Sequence, residues 1–459
     1  MRRDGSSRFS KDKRYGTFPS ASFAWRIINE PFFPNGTPLN DLKLRASWGK
    51  TGSMDGISNW AAMSLVTSGG NSYNGSSGFK IGADAADLIW EKANQVNVGI
   101  NAELFNGRLA LSVDGYYQKT SGLLYNISTL ATTGYTTRTA NIGSLENKGL
   151  EVMVSGKIFD GPFKWELATN LSYTKNKLLS LDGVLDMKIN GGGANTGKVM
   201  HALMVGKPVS AFYMLRQDGI YQTDQEVPSK LYAKGVRAGD CKYFDYNNDG
   251  DITDDDRMYV GKVTPDIYGG ITSTMNWRNF DLSIFCQFAA GGKILSAWKG
   301  CGGTEGTEHL GLASSSIKGY KNGTLVDSEQ FYNISKYAAN HYWRGEGTSN
   351  TVPRPTLAGT FTGGFGNNLV STRYLEDASY FKFKTITLGY SLPHSLLSKI
   401  HVTGARIFVS LDNFFTLTKY SGYDPEFSYE SNPTGNSYGA DFGEQATLKS
   451  FIIGASINF

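Results

Sequence analysis

Period-two patterning, repeated along the chain, is the feature that most restricts the fold. In 94–105, Val96, Val98, Ile100, Ala102 and Leu104 share one side, and Gln95, Asn97, Asn101 and Glu103 share the other. That alternation is the mark of a β-strand with two unlike faces. Asn106-Gly107 follows, a pair suited to the positive φ of a type I′ hairpin turn. The returning strand sets Leu109, Leu111, Val113 and Tyr117 against Arg108, Ser112, Asp114 and Gln118. The unit recurs. Hairpins are predicted over 15–50 with a turn near Pro31 and Pro38, 94–120, 147–176 around Asp160-Gly161, 266–290 around 276–279, and 372–417 around 393–404. With a final strand over 447–459 the count reaches about eleven.

Between the hairpins lie long stretches rich in Gly, Ser, Asn and Thr: 50–93, 120–146, 176–265, 291–371 and 418–446. Loops of this length are uncommon in a compact soluble domain. Tight turns at one end and long loops at the other are the asymmetry of an outer-membrane barrel, with turns in the periplasm and loops outside the cell. The fold class expected is therefore all-β, an antiparallel transmembrane β-barrel with long extracellular loops. In such a barrel the apolar set faces lipid and the polar set faces a wet lumen. Phe280, Leu282, Ile284, Cys286 and Phe288 would face lipid, and Asp281, Ser283 and Gln287 the lumen, with Phe285 the exception. Trp165, Tyr173, Trp277, Phe280 and Tyr390 fall near strand ends, where aromatic girdles belong. A large soluble β-sandwich shows the same alternation and is the competing reading.

Composition narrows the class. The chain has 55 glycines but only 13 prolines in 459 residues, and 13% of its residues are aromatic, too ring-rich for a disordered chain. A net charge of +4, without runs of like charge, lacks the footprint of nucleic-acid binding. No apolar stretch is long enough for a transmembrane helix, which leaves strands as the means of crossing. Residues 1–16 are polar and basic, without the apolar core of an export signal. Cys241, Cys286 and Cys301 are too few for a disulfide framework or a zinc site; a Cys241–Cys301 pairing is left open.

The last strand places Phe451, Ile453, Ala455, Ile457 and the terminal Phe459 on one face. It resembles the signal by which bacterial outer-membrane barrels are handed to their assembly machinery. Single-chain bacterial barrels use even strand numbers, so an odd count implies part of a larger barrel and a native start upstream of Met1.

Residues 405–426, ARIFVSLDNFFTLTKYSGYDPE, are similar to the penultimate strand and following loop of the SusC/RagA-like, TonB-linked outer-membrane transporters of Bacteroidetes-type bacteria. Supporting matches are 42–52 (LKLRASWGKTG), Trp90-Glu91-Lys92, 147–151 (NKGLE), 205–208 (VGKP) and 374–393 (YLEDASYFKFKTITLGYSLP). The resemblance implies that residues 1–459 are the C-terminal part of such a barrel, about eleven strands of a 22-stranded wall around a plug. The plug domain, the signal peptide and the TonB-contacting segment are then expected outside the chain. It further implies a place in the cell outer membrane, nutrient import of oligosaccharides or peptides, no covalent chemistry, a SusD-like surface lipoprotein as lid, and contact with outer-membrane lipid. A surface glycan-binding or structural β protein without transport is the alternative.

Chemistry-bearing motifs are sparse. Asp245, Asn247, Asp249, Gly250, Asp251 and Asp256 follow the spacing of an EF-hand-type calcium loop, with oxygen ligands at alternate positions and a glycine at the sharp bend. The twelfth position holds Asp in place of the usual bidentate Glu, so a calcium site and a solvated Asx-turn both remain open. Gly192 to Lys198 fits a phosphate-binding pattern, but Val199 replaces the hydroxyl residue that would hold magnesium. Gly435-Asn436-Ser437-Tyr438-Gly439 lacks the strand-to-helix elbow of a hydrolase nucleophile. The five histidines, His201, His309, His341, His394 and His401, have no metal-site spacing. Trp298, Tyr342 and Trp343 are candidates for stacking on sugars, or for packing one loop on another.

Overall fold

The computed structural model describes residues 1–34, 36–63, 65–73, 76–81, 88–128, 137–181, 187–189, 200–301, 311–312, 319–321, 324–326, 335–357, 365–397, 402–426, 437–443 and 445–458. Its frame is one antiparallel sheet of eleven strands in which sequence neighbours are spatial neighbours throughout. We number them β1 (Ser20–Arg26), β2 (Leu39–Ser53), β3 (Glu91–Leu104), β4 (Leu109–Ser128), β5 (Thr137–Asp160), β6 (Phe163–Ser180), β7 (Ile267–Trp277), β8 (Phe280–Ala290), β9 (Tyr380–Ser391), β10 (Gly404–Thr418) and β11 (Ser450–Asn458). β1 and β11 form its two edges.

The expected hairpins are all present, with four adjustments. Tyr15–Phe18 leaves the sheet and pairs instead with Arg2–Gly5, because Pro19 interrupts the run and has no N–H to give the ladder. The turn after β3 uses four residues rather than two, with Phe105, Asn106 and Gly107 all at positive φ and Arg108 N–H closing on the Phe105 carbonyl. The stretch 120–146 is mostly strand: β4 and β5 keep pairing, Leu123 opposite Ile142 and Ile127 opposite Arg138, so only 129–136 lies outside the described residues. The segment 372–379 stays off the sheet; Thr372–Tyr374 is a 3-10 turn and Leu375–Asp377 joins a small separate sheet.

Register fixes two faces. Leu44, Ile100, Val113 and Val152 lie in one cross-strand row, and Leu282, Leu388, Val409 and Ile453 in another. Both rows are on the apolar face, where Val98, Ile100, Leu150, Leu388, Ile407 and Ile453 remain exposed. The opposite face carries Arg45, Asn101, Ser112 and Asp114 at one side and Asp281 and Arg406 at the other. Phe285 obeys a local rule. It stands on the polar face because its ring lies over Gly270, at 3.0 Å from where a Cβ would be.

The packed interior is elsewhere. One buried cluster joins Leu215, Ile220, Tyr221, Leu231, Val236, Tyr243 and Phe365; another joins Met200, Phe212, Met214, Leu295, Cys301 and Tyr374. Apart from Tyr374, which falls in the predicted 372–417 hairpin, the residues named come from segments read as polar loops. The strand pair Gln217–Ile220 with Cys241–Tyr243 organises the first, and the pair Ala211–Met214 with Met258–Lys262 and a three-stranded sheet of Leu375–Asp377, Lys293–Ser296 and Ala440–Asp441 organise the second. These segments fold around cores of their own, while the apolar face of the sheet stays exposed.

Candidate functional site: the polar face and its outer mouth

Alternation alone puts charged side chains on the polar face, and cross-strand geometry pairs them. On β2, Arg45 donates to Asn101 Oδ1 at 2.7 Å and to Asp114 Oδ2 at 2.8 Å across three strands. On β10, Arg406 Nε meets Asp281 Oδ1 at 2.9 Å, passing over Gly389, where any Cβ would strike the guanidinium. Tyr116 on β4 lies over Gly149 and its hydroxyl is 2.9 Å from Thr174 Oγ1.

The densest cluster lies where the long-loop ends of β9 and β10 meet the segment after β10. Lys382 is only 2% exposed. It donates to Asp424 Oδ1 at 2.9 Å and also to Glu426, while Lys384 reaches Glu426 at 2.9 Å. Tyr380 donates its hydroxyl to Glu426 and accepts from Gln287, and Thr447 donates to Asp424. Burial pulls both carboxyls upward, but Thr447 and Lys382 at Asp424, and Lys382 and Lys384 at Glu426, hold them below the ordinary carboxylate range. Buried charges survive only when paired and hydrogen-bonded in this way. A cavity of about 220 Å³ opens beside the cluster, lined among others by Tyr380, Glu426, Tyr438 and Lys293. Next to it Glu376 is a second hub, accepting from Ser296, Ser421 and Lys299.

The two segments of this cluster, 374–393 and 405–426, meet only in the fold, with 42 residues between Lys382 and Asp424. The available signal was two lysines, Lys382 and Lys384, in an otherwise ring-rich strand, with Asp424 and Glu426 flanking one proline downstream.

The acidic loop lies outside the sheet. Asp245 accepts from the backbone N–H groups of Asp249 and Gly250, Asn247 from Asp249, and Asp249 from Asp251. Asp251 is gripped through both oxygens by Lys234, at 2.6 and 2.7 Å, which holds its carboxyl low. Asp256 points inward: it is fully buried, accepts from Tyr246 and Thr253, and completes a capping box with Thr253. Among the described residues, no group of three or more His, Cys, Asp or Glu side chains is gathered as a metal cage.

The remaining candidates resolve into structural roles. Cys241, Cys286 and Cys301 are buried free thiols, and the first and last belong to different cores, so they are not paired. Burial pushes Cys241 to about 11 and Cys301 to about 12, leaving both as neutral thiols. His201 stacks on Phe212 and meets the Ala211 carbonyl; His341 meets that of Tyr337. Trp343 packs against the first outer core and donates to Gln222, and Trp298 donates to Tyr420. Ser437 is buried ahead of the short strand Ala440–Asp441. Residues 192–198, Gly435, His309, His401 and Phe459 lie outside the described residues. Of the terminal strand, Phe451, Ile453 and Ile457 are on the apolar face, 60%, 67% and 55% exposed.

An up-and-down sheet, greasy on one face and ion-paired on the other, with three of its five connections at one end only two to four residues long, has the pattern of the wall of a membrane β-barrel. The chain belongs to the family described as TonB dependent receptor-like, beta-barrel, whose sequence profile matches residues 1–256. It is 30% identical over its whole length to "TonB-dependent receptor P3" of Formosa agariphila, covering 43% of that protein. It is 29% identical to "TonB-dependent receptor SusC" of Bacteroides thetaiotaomicron, covering 42%. The structure of the RagAB peptide importer in its closed-closed state superposes with a TM-score of 0.75 over all of this chain and 45% of that one, at 24% identity. The chain thus spans less than half the length of the relatives it matches. The family is one of TonB-dependent receptors.

Proposed function

We propose that this chain forms part of the wall of an outer-membrane importer, taking up oligosaccharides or peptides through a lumen lined by the polar face. One observation carries the reading: a single sheet whose two faces differ as hydrocarbon and water differ. Its long β4, β5 and β6 exceed the roughly 9–11 residues needed to cross a bilayer, which raises their loop ends above the membrane. The edges at β1 and β11 call for further strands, since lipid offers no partner for an open edge. The wider assembly we infer has a SusD-like surface lipoprotein over the loops, a TonB complex engaged through a segment outside these strands, and delivery by the barrel assembly machinery. No covalent chemistry is assigned.

Detergent dependence separates this from a surface glycan-binding or structural β protein. The protein expressed from its own locus should fractionate with outer membranes and aggregate when detergent is withdrawn. Deleting the locus should abolish growth on one oligosaccharide or peptide source. Recovery as a monomer in plain buffer would overturn the reading.

A further inference from the structure

The apolar face is not uniform from end to end. Near the turns its rows carry Phe159, Phe163, Trp165, Trp277, Phe280 and Tyr390, with Phe280 and Tyr390 in ring contact at 4.7 Å. Toward the loops, two adjacent cross-strand rows run from β2 to β6. One is Trp48, Val96, Tyr117, Lys148 and Lys175; the next is Lys50, Asn94, Lys119, Glu146 and Lys177. All five lysines are exposed, and only Lys148 has a carboxylate within 4 Å among the described residues, Glu146 at 3.7 Å. Lys50 sits over the Trp48 ring at 6.0 Å and Lys175 over Tyr173 at 5.6 Å.

The height of this belt is meaningful. From Trp165 to Lys175 is roughly 33 Å of strand at about 3.3 Å per residue, or about 25 Å along the membrane normal at a tilt of about 40°. That is the thickness of the apolar band of an outer-membrane barrel. The Lys148–Lys175 end of the belt therefore stands at the level of the outer headgroups, its lysine stems on apolar surface and its ammonium groups in the polar layer. Lys148 and Lys175 are also direct cross-strand partners, and like charges placed opposite one another destabilise a sheet. An anion between them turns that cost into a gain.

We propose that this belt is a binding surface for phosphate-bearing glycolipid headgroups of the outer leaflet, with Lys148 and Lys175 clasping one phosphate. The proposal rests on the membrane-barrel reading. Lysines serve here because each is a point charge on a flexible stem that can follow a mobile headgroup.

The test uses the protein expressed from its own locus and extracted in mild detergent, with lipid A in mixed micelles as probe, either phosphorylated or enzymatically dephosphorylated, and native mass spectrometry as readout. Wild type should retain the phosphorylated form at least tenfold more than the dephosphorylated one. The double variant Lys148→Gln/Lys175→Gln should lose that preference, and Lys148→Arg/Lys175→Arg should keep it. Lys157→Gln/Lys164→Gln near the turns should leave it unchanged, a control for total charge. The proposal is overturned if the glutamine variant, shown folded by a heat-modifiable gel band, retains phosphorylated lipid A as wild type does, or if wild type retains both lipids equally. Retention of neither lipid by wild type overturns it as well, whereas recovery of wild type as a monomer without detergent strikes the barrel reading beneath it.

Discussion

Arg406 on β10 and Asp281 on β8 are joined across an intervening strand, Nε to Oδ1 at 2.9 Å, through the gap left by Gly389 on β9. The pair ties three strands together on the polar face with a fork geometry that lysine cannot reproduce. Both side chains are partly exposed, so its worth is modest. A double-mutant cycle of Arg406→Lys and Asp281→Asn should return a coupling of about 1 kcal/mol, read from urea unfolding in micelles. Zero coupling would mean the pair is incidental. Gly389→Ala should disturb the same pair, because its methyl needs the space the guanidinium fills.

The two faces can be told apart by one charge moved one residue. Val98 is 51% exposed on the apolar face, whereas Asn97 points to the polar side. Val98→Lys should reduce membrane insertion by a depth-dependent cost of at most about 2–4 kcal/mol, the midplane value, and Asn97→Lys should be nearly neutral. The check is folded yield in liposomes of defined composition. Equal costs at the two sites would remove the basis for a lumen.

Gly269 is a packing requirement rather than a conformational one. A Cβ there would lie 2.1 Å from the Asn170 carbonyl oxygen and against the Phe288 ring. Gly269→Ala should therefore destabilise the β6–β7 pairing by about 1–3 kcal/mol. Gly161→Ala, in a turn with nothing within 4 Å, should cost little. Similar melting of the two variants would contradict the ring-over-glycine account.

What the sequence disclosed and what it hid divide along a physical line. Strands whose faces meet different solvents advertise themselves, so Val96 to Leu104 and Phe451 to Ile457 were legible from alternation alone. Phe285 looked like an error because its reason, Gly270 on the next strand, is a cross-strand relationship with no local signature. The outer cores were hidden for another reason. Met200, Phe212, Leu295 and Tyr374 come together from four separate segments, each short and mixed with polar residues. Lys382 and Asp424 were likewise unreadable as a pair, since 42 residues separate them.

The acidic loop has the spacing of a calcium site, but its carboxylates are not gathered into a cage. Calcium at Asp245, Asn247 and Asp249 has to compete with the Asx-turn hydrogen bonds those side chains already accept, and Asp251 with the grip of Lys234. Calorimetric titration with calcium should therefore show weak, roughly millimolar binding, lost in Asp245→Ala and strengthened in Lys234→Met, which frees a carboxylate. A flat titration of the intact protein withdraws calcium and leaves a self-bonded turn.

The segment after β10 should behave as an acid-sensitive latch. Asp424 and Glu426 hold it to Lys382 and Lys384, and both carboxyls lie below their ordinary range in the folded chain. Depressed carboxyl values contribute stability that is fully present above the unfolded values, about 3.9 for Asp and 4.3 for Glu. That stability fades as pH falls through the lower folded values. Hydrogen exchange of the 419–426 amides should thus show unchanged protection free energy from about pH 7 down to about pH 5 and a loss below about pH 4. Lys382→Met leaves two carboxylates facing each other without their shared cation. Removing one member of a buried charge cluster costs about 3–5 kcal/mol, so in this variant the same amides should open at neutral pH and be rescued by acid, which neutralises the carboxylates. Protection that ignores both pH and Lys382 would show that the loop is held by its backbone and by Tyr420, whose hydroxyl donates to Asp441 at 2.5 Å, rather than by the ion cluster.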